Sequence, residues 1–220
     1  MLDFAAARRM MVDSQVRTSD VTDPRIIAAM LEVPRERFVP ARNAGLSYLD
    51  MDIPVAEGPR SRRLLKPMVL AKLIQAAEVG PQDRVLDVAG GTGYSAAVLA
   101  RLASAVVALE DDASLAQQAR DNFAALGIAN ATVATGALPQ GWPAAAPYDV
   151  ILLNGAAEIV PERLLGQLAE GGRLVAVIGA PPASKAYLYL AAGGATTGVP
   201  VFDAAAPVLP DFARPPAFVF

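Results

Sequence analysis

The stretch Arg84-Val85-Leu86-Asp87-Val88-Ala89-Gly90-Gly91-Thr92-Gly93-Tyr94 decides the fold. A short apolar run ends in a carboxylate and a cluster of glycines, and a small-residue helical pattern, Ser95 to Ala100, follows directly. This order predicts a strand, a tight turn and a helix in succession. Glycines in such a turn let the backbone approach a ligand closely, and the start of the helix offers N–H groups to it. The stretch therefore predicts a site for a nucleotide-like ligand.

Strands and helices alternate after this stretch. We predict strands at 84–88, 105–110, 131–135, 148–154 and 173–178, with helices at about 94–102, 114–126 and 161–170. Apolar strands such as Val150-Ile151-Leu152-Leu153 suit a sheet that helices cover on both faces. The pattern predicts an α/β fold with a doubly wound, mostly parallel sheet. In the tail, Val199, Val201 and Phe202 and then Phe218-Val219-Phe220 predict late strands at the edge of this sheet.

The first 80 residues predict a helical extension in front of the sheet. An apolar repeat predicts one helix up to about residue 20, Asp23-Pro24 starts a second helix, and Pro34 ends it. After an irregular segment, a third helical period runs from Pro67 to Gly80-Pro81. We expect residues 1–80 to form this extension with a substrate-side loop, and residues 81–220 to form the α/β domain, the two making one compact unit.

Composition argues against several classes of function. The net charge is −3 and the basic residues form no long tract, so the sequence does not indicate a nucleic-acid partner. Cysteine and histidine are both absent, which removes disulfides, thiolate nucleophiles, the usual zinc ligand sets and the usual physiological-pH general base. The chain shows neither a signal-peptide pattern nor a long apolar run, so we expect a cytoplasmic protein without membrane contact. Nothing in the sequence indicates the oligomeric state.

A second acidic residue narrows the choice of ligand. The next predicted strand ends in Leu109-Glu110, 23 residues after Asp87, where a carboxylate can accept both hydroxyls of a ribose. The turn lacks the G-x-G-x-x-G spacing of a dinucleotide site. An acid two residues before the turn also suits an ammonium and a sulfonium better than two phosphates. These features favour S-adenosylmethionine over NAD as the ligand. The alternatives without a ligand are that the glycine turn serves packing and that Glu110 is a surface residue that serves solubility.

Several segments, in unbroken order from residue 10 to about 180, form a recognisable set. They are Gln15-Val16-Arg17, Asp23-Pro24 to Ala29-Met30, Val33-Pro34-Arg35-Glu36-Arg37-Phe38-Val39-Pro40, Tyr48 with Asp50, Pro67 to Ala71, Val85 to Ala100, and Pro161 to Leu174. The set resembles the protein-L-isoaspartate O-methyltransferase family. Its most specific parts are the strings V-P-R-E-R-F-V-P and G-T-G-Y-x-A-A-V-L-A.

The resemblance implies a Rossmann-like fold of the class I S-adenosylmethionine-dependent methyltransferases, and methyl transfer to the carboxylate of isoaspartyl residues in damaged proteins. The substrate, a protein or peptide, would enter over the loop before Pro67. Such a reaction needs no imidazole, because the carboxylate is ionised at pH 7 and catalysis is mostly orientation and desolvation. The implied cofactor contacts, together with strand-end residues, are Asp87, Ala89, Gly90, Gly91, Thr92, Gly93, Tyr94, Glu110, Gly136, Ala137 and Asn154.

Three positions depart from the family pattern. Leu65 stands at the family's active-site serine and is not expected to catalyse, and Ala89 stands at the first glycine of the turn. Ala137 replaces the aspartate expected to contact the adenine amino group, a loss of about 0.5–1.5 kcal/mol of hydrogen-bond energy. An alanine at position 89 is tolerated where its φ is negative.

Four basic residues, Arg60, Arg62, Arg63 and Lys66, and the hydroxyl of Ser61 surround Leu65. They form either an alternative carboxylate clamp made of Ser61, Arg62 and Lys66, or a solvated surface loop. Tyr94 either closes over the cofactor or packs in the core, and Asn154-Gly155 marks either a ligand site or an ordinary turn. Two functions remain open: a methyltransferase, or a family member without turnover that acts as a cofactor-binding or protein-interaction module.

Overall fold

The computed structural model describes residues 3–58, 61–180 and 182–214. The chain begins with helix α1 (Phe4–Met11), which continues as a π-helix (Val12–Val16) and a 3-10 turn (Arg17–Ser19). Helix α2 (Pro24–Glu32) starts as predicted, since the Asp23 carboxylate accepts the backbone N–H of Arg25 and Pro24 takes the first helical position.

A small hairpin separates these helices from the sheet. Two 3-10 turns (Arg35–Phe38 and Ala41–Leu46) lead to strand β1 (Ile53–Ala56), which pairs antiparallel with β2 (Arg62–Leu64). Helix α3 (Pro67–Ala76) follows directly. The segments predicted to be irregular, residues 34–40 and the loop around Tyr48, Asp50 and Asp52, contain no strand. The hairpin was not predicted, because its strands are too short for alternation to be visible in the sequence.

A seven-stranded sheet forms the centre of the molecule. Its strands and the helices between them are β3 (Arg84–Val88), α4 (Tyr94–Leu99), β4 (Ala105–Glu110), α5 (Ala113–Ala125), β5 (Ala131–Thr135), β6 (Tyr148–Ala157), α6 (Glu162–Leu165), β7 (Leu168–Ile178), β8 (Lys185–Ala192) and β9 (Ala195–Asp203). Short 3-10 turns cover Leu138–Gln140, Pro143–Ala145 and Pro210–Phe212. The strands lie in the order β5-β4-β3-β6-β7-β8-β9.

The pairing confirms the predicted doubly wound, mostly parallel sheet. Strands β3 to β7 are parallel to one another, and β8 and β9 add an antiparallel edge. The predicted late strand with Val199, Val201 and Phe202 is β9, whereas Phe218-Val219-Phe220 lie outside the described residues. None of the helices in the described ranges is long and apolar enough to cross a membrane.

Three predicted boundaries are wrong at the sixth and seventh strands, including the start of β7, which was predicted at residue 173 and lies at Leu168. The helix predicted over 161–170 covers only Glu162–Leu165, because Gly166 caps it and Leu168 already pairs with Tyr148 in the sheet. Strand β6 also continues beyond its predicted end at residue 154 to Ala157, through a shift of register between Leu152 and Ala156. Asn154-Gly155 is thus an irregularity inside a strand and not a turn.

The core lies on both faces of the sheet. Side chains from one set of strand positions, such as Val85 and Val150, pack with helices α1 to α5. The alternate positions, such as Leu86 and Ile151, pack with α6, the 3-10 turns and Phe212. The second face is therefore covered largely by short turns and the C-terminal segment. This arrangement leaves the carboxyl ends of β3, β4, β5 and β6 at one edge of the molecule.

Candidate active site

The order of the strands places three predicted site residues together. Strand β3 pairs with β4 on one side and with β6 on the other, so the order of the chain reverses at β3. Ligands of open α/β sheets bind outside the carboxyl ends of the strands at such a reversal. Asp87, Glu110 and Asn154 lie on these three strands at that end, and Asn154 Nδ2 donates to Asp87 Oδ1 at 2.6 Å.

Asp87 is held entirely by groups of the chain itself. Its side chain is fully buried, and Ser95 Oγ donates to its second carboxylate oxygen at 2.7 Å. Burial raises the pKa of Asp87 to about 7, although the hydrogen bonds from Ser95 and Asn154 oppose the increase. At pH 7 the carboxyl is therefore divided between its charged and neutral forms, and a nearby cation would favour the charged form. Gly90 lies against the same carboxylate, since a Cβ there would stand 2.5 Å from Asp87 Oδ2.

Ala89 adopts a left-handed backbone conformation. Its φ is +60° and its N–H donates to the Leu109 carbonyl at 2.9 Å, which ties the turn to β4. The φ of Ala89 is therefore positive, and the condition under which an alanine is tolerated at this position, a negative φ, is not met. A residue with a Cβ pays about 1–2 kcal/mol for this conformation relative to glycine.

The β1–β2 hairpin covers the glycine turn. Gly91 has a φ of +60°, and a Cβ at this position would stand 3.1 Å from Val55 Cγ2 and 3.8 Å from Arg62 Cβ. The hairpin can approach this closely because Gly91 has no side chain. Gly93, at φ +94°, is the last residue before α4.

Arg62 of this hairpin is buried in an ion pair. Its side chain is 2% exposed, its Nε donates to Glu110 Oε1 at 3.2 Å, and its Nη2 donates to Asp111 Oδ1. For Arg62, the interpretation as a solvated surface loop is therefore wrong, and its guanidinium faces carboxylates of the chain itself. Arg60, the other arginine before it, lies outside the described residues.

Glu110, the predicted ribose acceptor, receives bonds on both oxygens. The backbone N–H of Gly91 donates to Oε2 at 3.0 Å, and that of Asp111 donates to Oε1 at 2.9 Å. Burial raises the pKa of Glu110, the neighbouring Asp111 side chain raises it further, and the charge of Arg62 lowers it. A ribose diol at Glu110 must share this carboxylate with Arg62 or displace the guanidinium.

A cavity of about 480 Å³ opens beside Glu110, within the size range of small-molecule sites. Its lining comes from the ends of β4 and β5, the following 3-10 turn and the C-terminal segment: Asp111, Thr135, Gly136, Ala137, Pro139, Gln140 and Asp211. Sequence reasoning named Gly136 and Ala137 but missed both aspartates. Three consecutive acids at 110–112 after a strand are a signal for Asp111. Nothing local marks Asp211, which long-range folding brings to the cavity.

The remaining predicted residues lie around the turn and the hairpin. Tyr94 packs in the core, with its ring edge-on to Phe38 at 5.5 Å and the Arg35 guanidinium 4.7 Å above it. Thr92 Oγ1 donates to the Phe38 carbonyl at 2.5 Å, and this bond anchors the turn to the N-terminal region. Tyr94 and Thr92 therefore join the turn to the core and do not line the cavity.

The predicted clamp residues do not meet at one place. Leu65 is 2% exposed, and its carbonyl accepts a bond from Arg35 Nη2 at 2.8 Å. Ser61 is half-buried and its N–H donates to the Gly58 carbonyl. Lys66 lines a different cavity of about 310 Å³, together with Ser184 and Asp203. Arg62 thus lies against Glu110 and Asp111, whereas Lys66 lines another cavity.

The donor set fits S-adenosylmethionine at its adenosyl end. The Glu110 carboxylate lies at the strand end where sheets of this kind bind a ribose diol, and the adjoining cavity, lined by Gly136 and Ala137, has room for a base. Glu110 and the cavity residues would hold the nucleoside, and the Asp87 network would hold the turn beside it.

Comparisons with known proteins give one consistent result. The family model described as Protein-L-isoaspartate(D-aspartate) O-methyltransferase matches residues 6–192. Protein-L-isoaspartate O-methyltransferase 1 of Rhodopseudomonas palustris (strain HaA2) is 41% identical over 182 residues, which are 83% of this chain and 73% of the relative. The protein-L-isoaspartate O-methyltransferase of Methylorubrum populi is 41% identical over 189 residues, 86% of this chain and 87% of the relative.

Solved structures agree with these relatives. One protein-L-isoaspartate O-methyltransferase structure has a TM-score of 0.79 and 28% identity over 91% of this chain, which spans 65% of the length of that protein. A Plasmodium falciparum protein solved in complex with S-adenosyl-L-homocysteine has a TM-score of 0.77 and 20% identity over 92% of this chain and 97% of that one. The second likeness shows a shared fold.

Proposed function

The chain belongs to the protein-L-isoaspartate(D-aspartate) O-methyltransferase family, and from this we propose that it methylates the carboxylate of isoaspartyl residues with S-adenosyl-L-methionine. The match over residues 6–192 carries the proposal, because it spans the β1–β2 hairpin, the glycine turn and all strand ends of the site. The acceptor is a protein or peptide, and we place the activity in the cytoplasm.

The chemistry suits a site without histidine. The cofactor supplies a methyl group activated on a sulfonium, and the acceptor carboxylate is already ionised at pH 7, so no general base is required. The chain contributes orientation: Glu110 and the cavity hold the nucleoside, and the Asp87–Asn154–Ser95 network fixes the turn. Positioning of this kind accounts for a large part of the barrier reduction in two-partner reactions.

We propose Lys66 as the acceptor-side group. It follows Leu65, which offers no hydroxyl, and it lines the 310 Å³ cavity with Ser184, whereas Ser61 does not line that cavity. Arg62 takes no part in the predicted clamp, because its guanidinium is bound to Glu110 and Asp111. Lys66 supplies a positive charge at the start of α3, where a substrate carboxylate can approach the loop.

A cofactor-binding module without turnover is the second candidate. Two observations favour it: a buried leucine at position 65, and the Arg62–Glu110 bond at the predicted ribose acceptor. A module of this kind binds S-adenosylhomocysteine but transfers no methyl group.

Methyl transfer from labelled S-adenosylmethionine to an isoaspartyl peptide tests the proposal. The aspartyl form of the same peptide is the substrate control, base lability identifies a methyl ester, and Glu110→Ala is the site control. We expect a base-labile product from the isoaspartyl peptide alone, which Glu110→Ala abolishes. Binding of S-adenosylhomocysteine without transfer would establish the second candidate, and absence of both would overturn the two functions together.

A further inference from the structure

We propose that Asp211, on the C-terminal segment, selects adenine in the cavity beside Glu110 by accepting a hydrogen bond from the exocyclic amino group of the base. Asp211 lies beyond residues 6–192, the part of the chain that the family model matches. The inference rests on the proposed function, because it takes an adenosyl ligand as the occupant of the cavity.

The position of the base follows from that of the ribose. With the ribose at Glu110, the space beyond the ends of β4 and β5 is the 480 Å³ cavity. Gly136 and Ala137 form one wall of it and carry no side-chain acceptor, so a flat base can lie against them without a specific bond. The acceptor that recognises an amino group must therefore come from another wall.

Of the two carboxylates in the described part of the cavity lining, those of Asp111 and Asp211, the Asp211 carboxylate is the one that is free to accept a hydrogen bond from a base. Asp111 is almost fully buried and bound to Arg62, and it directly follows Glu110, on the ribose side. The Gln140 side-chain oxygen accepts a bond from Arg163. Within the described residues the Asp211 carboxylate makes no hydrogen bond or ion pair, and its side chain is exposed to the cavity mouth.

The backbone holds Asp211 in place against β6. Leu209 N–H donates to the Ala156 carbonyl at 2.9 Å, and Glu158 N–H donates to the Phe212 carbonyl at 2.9 Å. Phe212 is 1% exposed. The Leu209 side chain packs against Gly155 so closely that a Cβ on Gly155 would stand 2.6 Å from Leu209 Cγ. The carboxylate is thus presented from a segment that is anchored on both sides, as preorganised recognition requires.

A carboxylate at this position distinguishes bases that present a hydrogen-bond donor from bases that present an acceptor. Adenine offers an amino group that donates to Asp211, whereas hypoxanthine carries a carbonyl oxygen that repels it. A hydrogen bond to a charged acceptor is worth roughly tenfold or more in affinity. Asp211 therefore acts as a specificity residue for the cofactor and takes no part in methyl transfer itself.

Isothermal titration of S-adenosylhomocysteine and S-inosylhomocysteine against the full chain tests this role. We expect the wild type to prefer the adenosyl ligand, and Asp211→Ala to weaken that ligand about tenfold while leaving the inosyl ligand unchanged or tighter. Asp13→Ala, at another exposed carboxylate remote from the cavity, should change neither affinity. In the Asp211→Ala background, Ala137→Asp places a carboxylate on another wall and should restore adenosyl preference.

The outcomes separate this inference from the proposed function. Equal weakening of both ligands by Asp211→Ala, or no change in adenosyl affinity, would overturn the role of Asp211 while cofactor binding and methyl transfer stand. No binding of either ligand by the wild type would overturn both. Because Asp211 is exposed, Asp211→Ala should melt at the wild-type temperature, and the titration then reports binding and not folding.

Discussion

The carboxyl of Asp87 links the stability of the fold to pH. Its pKa is about 7 in the folded chain, against 3.8 as the ordinary value, because burial disfavours the charged form. Between these pH values the folded state binds more protons than the unfolded state. The stabilisation is therefore complete below about pH 4 and is lost as the pH rises through 7.

Asp87→Asn removes this titration. Relative to the wild type, we expect the variant to gain up to about 1.4 kcal/mol of unfolding free energy per pH unit between pH 4 and 7. Urea unfolding at several pH values measures the difference. Ser95→Ala removes a hydrogen bond that lowers the pKa of Asp87, so the pKa should rise. The decrease of the unfolding free energy with pH should then continue to a higher pH than in the wild type. A pH-independent difference between Asp87→Asn and the wild type would contradict the burial argument.

Leu65 contributes packing at the position where the sequence resemblance implies a serine. Because its side chain is 2% exposed, Leu65→Ser should cost roughly 2–5 kcal/mol of unfolding free energy. Leu65→Met, which conserves volume, should cost less than about 1.5 kcal/mol. Urea unfolding measures both. An undiminished stability in Leu65→Ser would show that this side chain is not packed, and a gain of methyl transfer would identify the parent as a degenerate enzyme.

The sequence predicts the place of a site residue correctly where that place follows from the pattern of strands. Asp87, Glu110 and Asn154 end or interrupt strands, so their convergence could be predicted. The burial of Arg62 could not, because a run of basic residues looks the same whether it is solvated or bound to distant carboxylates. The φ of Ala89 is likewise invisible in the sequence, since the substitution of glycine does not reveal the dihedral angle.

Among the elements, the β1–β2 hairpin is joined to the sheet by Arg62. Arg62→Met breaks a buried charge pair, which typically costs about 3–5 kcal/mol of stability. Removal of the arginine also raises the pKa of Glu110 further, so we expect the loss to be smaller at pH 6, where Glu110 is protonated, than at pH 8.

The exposed neighbour Arg63 on the same strand gives a matched control. Arg63→Met should change the unfolding free energy by less than about 0.5 kcal/mol at either pH. Thermal and urea unfolding of the two variants at pH 6 and 8 make the comparison. Equal effects of the two substitutions would mean that the Arg62 ion pair does not hold the hairpin.

The C-terminal segment depends on the absence of a side chain at Gly155. In Gly155→Ala the new Cβ would lie 2.6 Å from Leu209 Cγ, so the segment must shift. We expect a loss of about 1–3 kcal/mol of stability and weaker binding of S-adenosylhomocysteine, since Asp211 moves with the segment. Leu209→Ala in the same chain makes room and should restore part of the stability, which double-mutant analysis detects as non-additivity.

Gly45→Ala is the control, because no atom lies within 4 Å of a Cβ at that position. Its stability should stay within about 0.5 kcal/mol of the wild type. If Gly155→Ala behaves in the same way, the contact between Leu209 and β6 does not fix the segment.

Elements marked by a proline start or a continuous apolar run could be predicted, whereas the short elements and the eight-residue strand β8 were not predicted. Helix α2 and strands β3 to β5 match their predicted bounds because Asp23-Pro24 and apolar runs of five or six residues define them. The three-residue strand β2 carries no detectable alternation. Helix α6 ends early because sheet pairing of Leu168 overrides the local helical pattern.

At the scale of the whole molecule, the site joins segments that are distant in sequence. Arg62 comes from the hairpin, Asp87, Glu110 and Asn154 come from the carboxyl-terminal halves of three neighbouring strands, and Asp211 comes from the C-terminal segment. The parallel sheet could be predicted, because alternating strands and helices determine it. Long-range packing places the β1–β2 hairpin over the glycine turn and brings Asp211 to the cavity, so local sequence patterns reveal neither.

We propose that this site methylates isoaspartyl carboxylates with a buried leucine at position 65. The most direct measurement mixes isoaspartyl and aspartyl forms of one peptide, distinguished by isotope, with the protein and S-adenosylmethionine, and follows both forms by mass spectrometry. We predict a base-labile gain of one methyl group on the isoaspartyl form alone. Equal methylation of both forms, or none on either while S-adenosylhomocysteine binds, would contradict the claim.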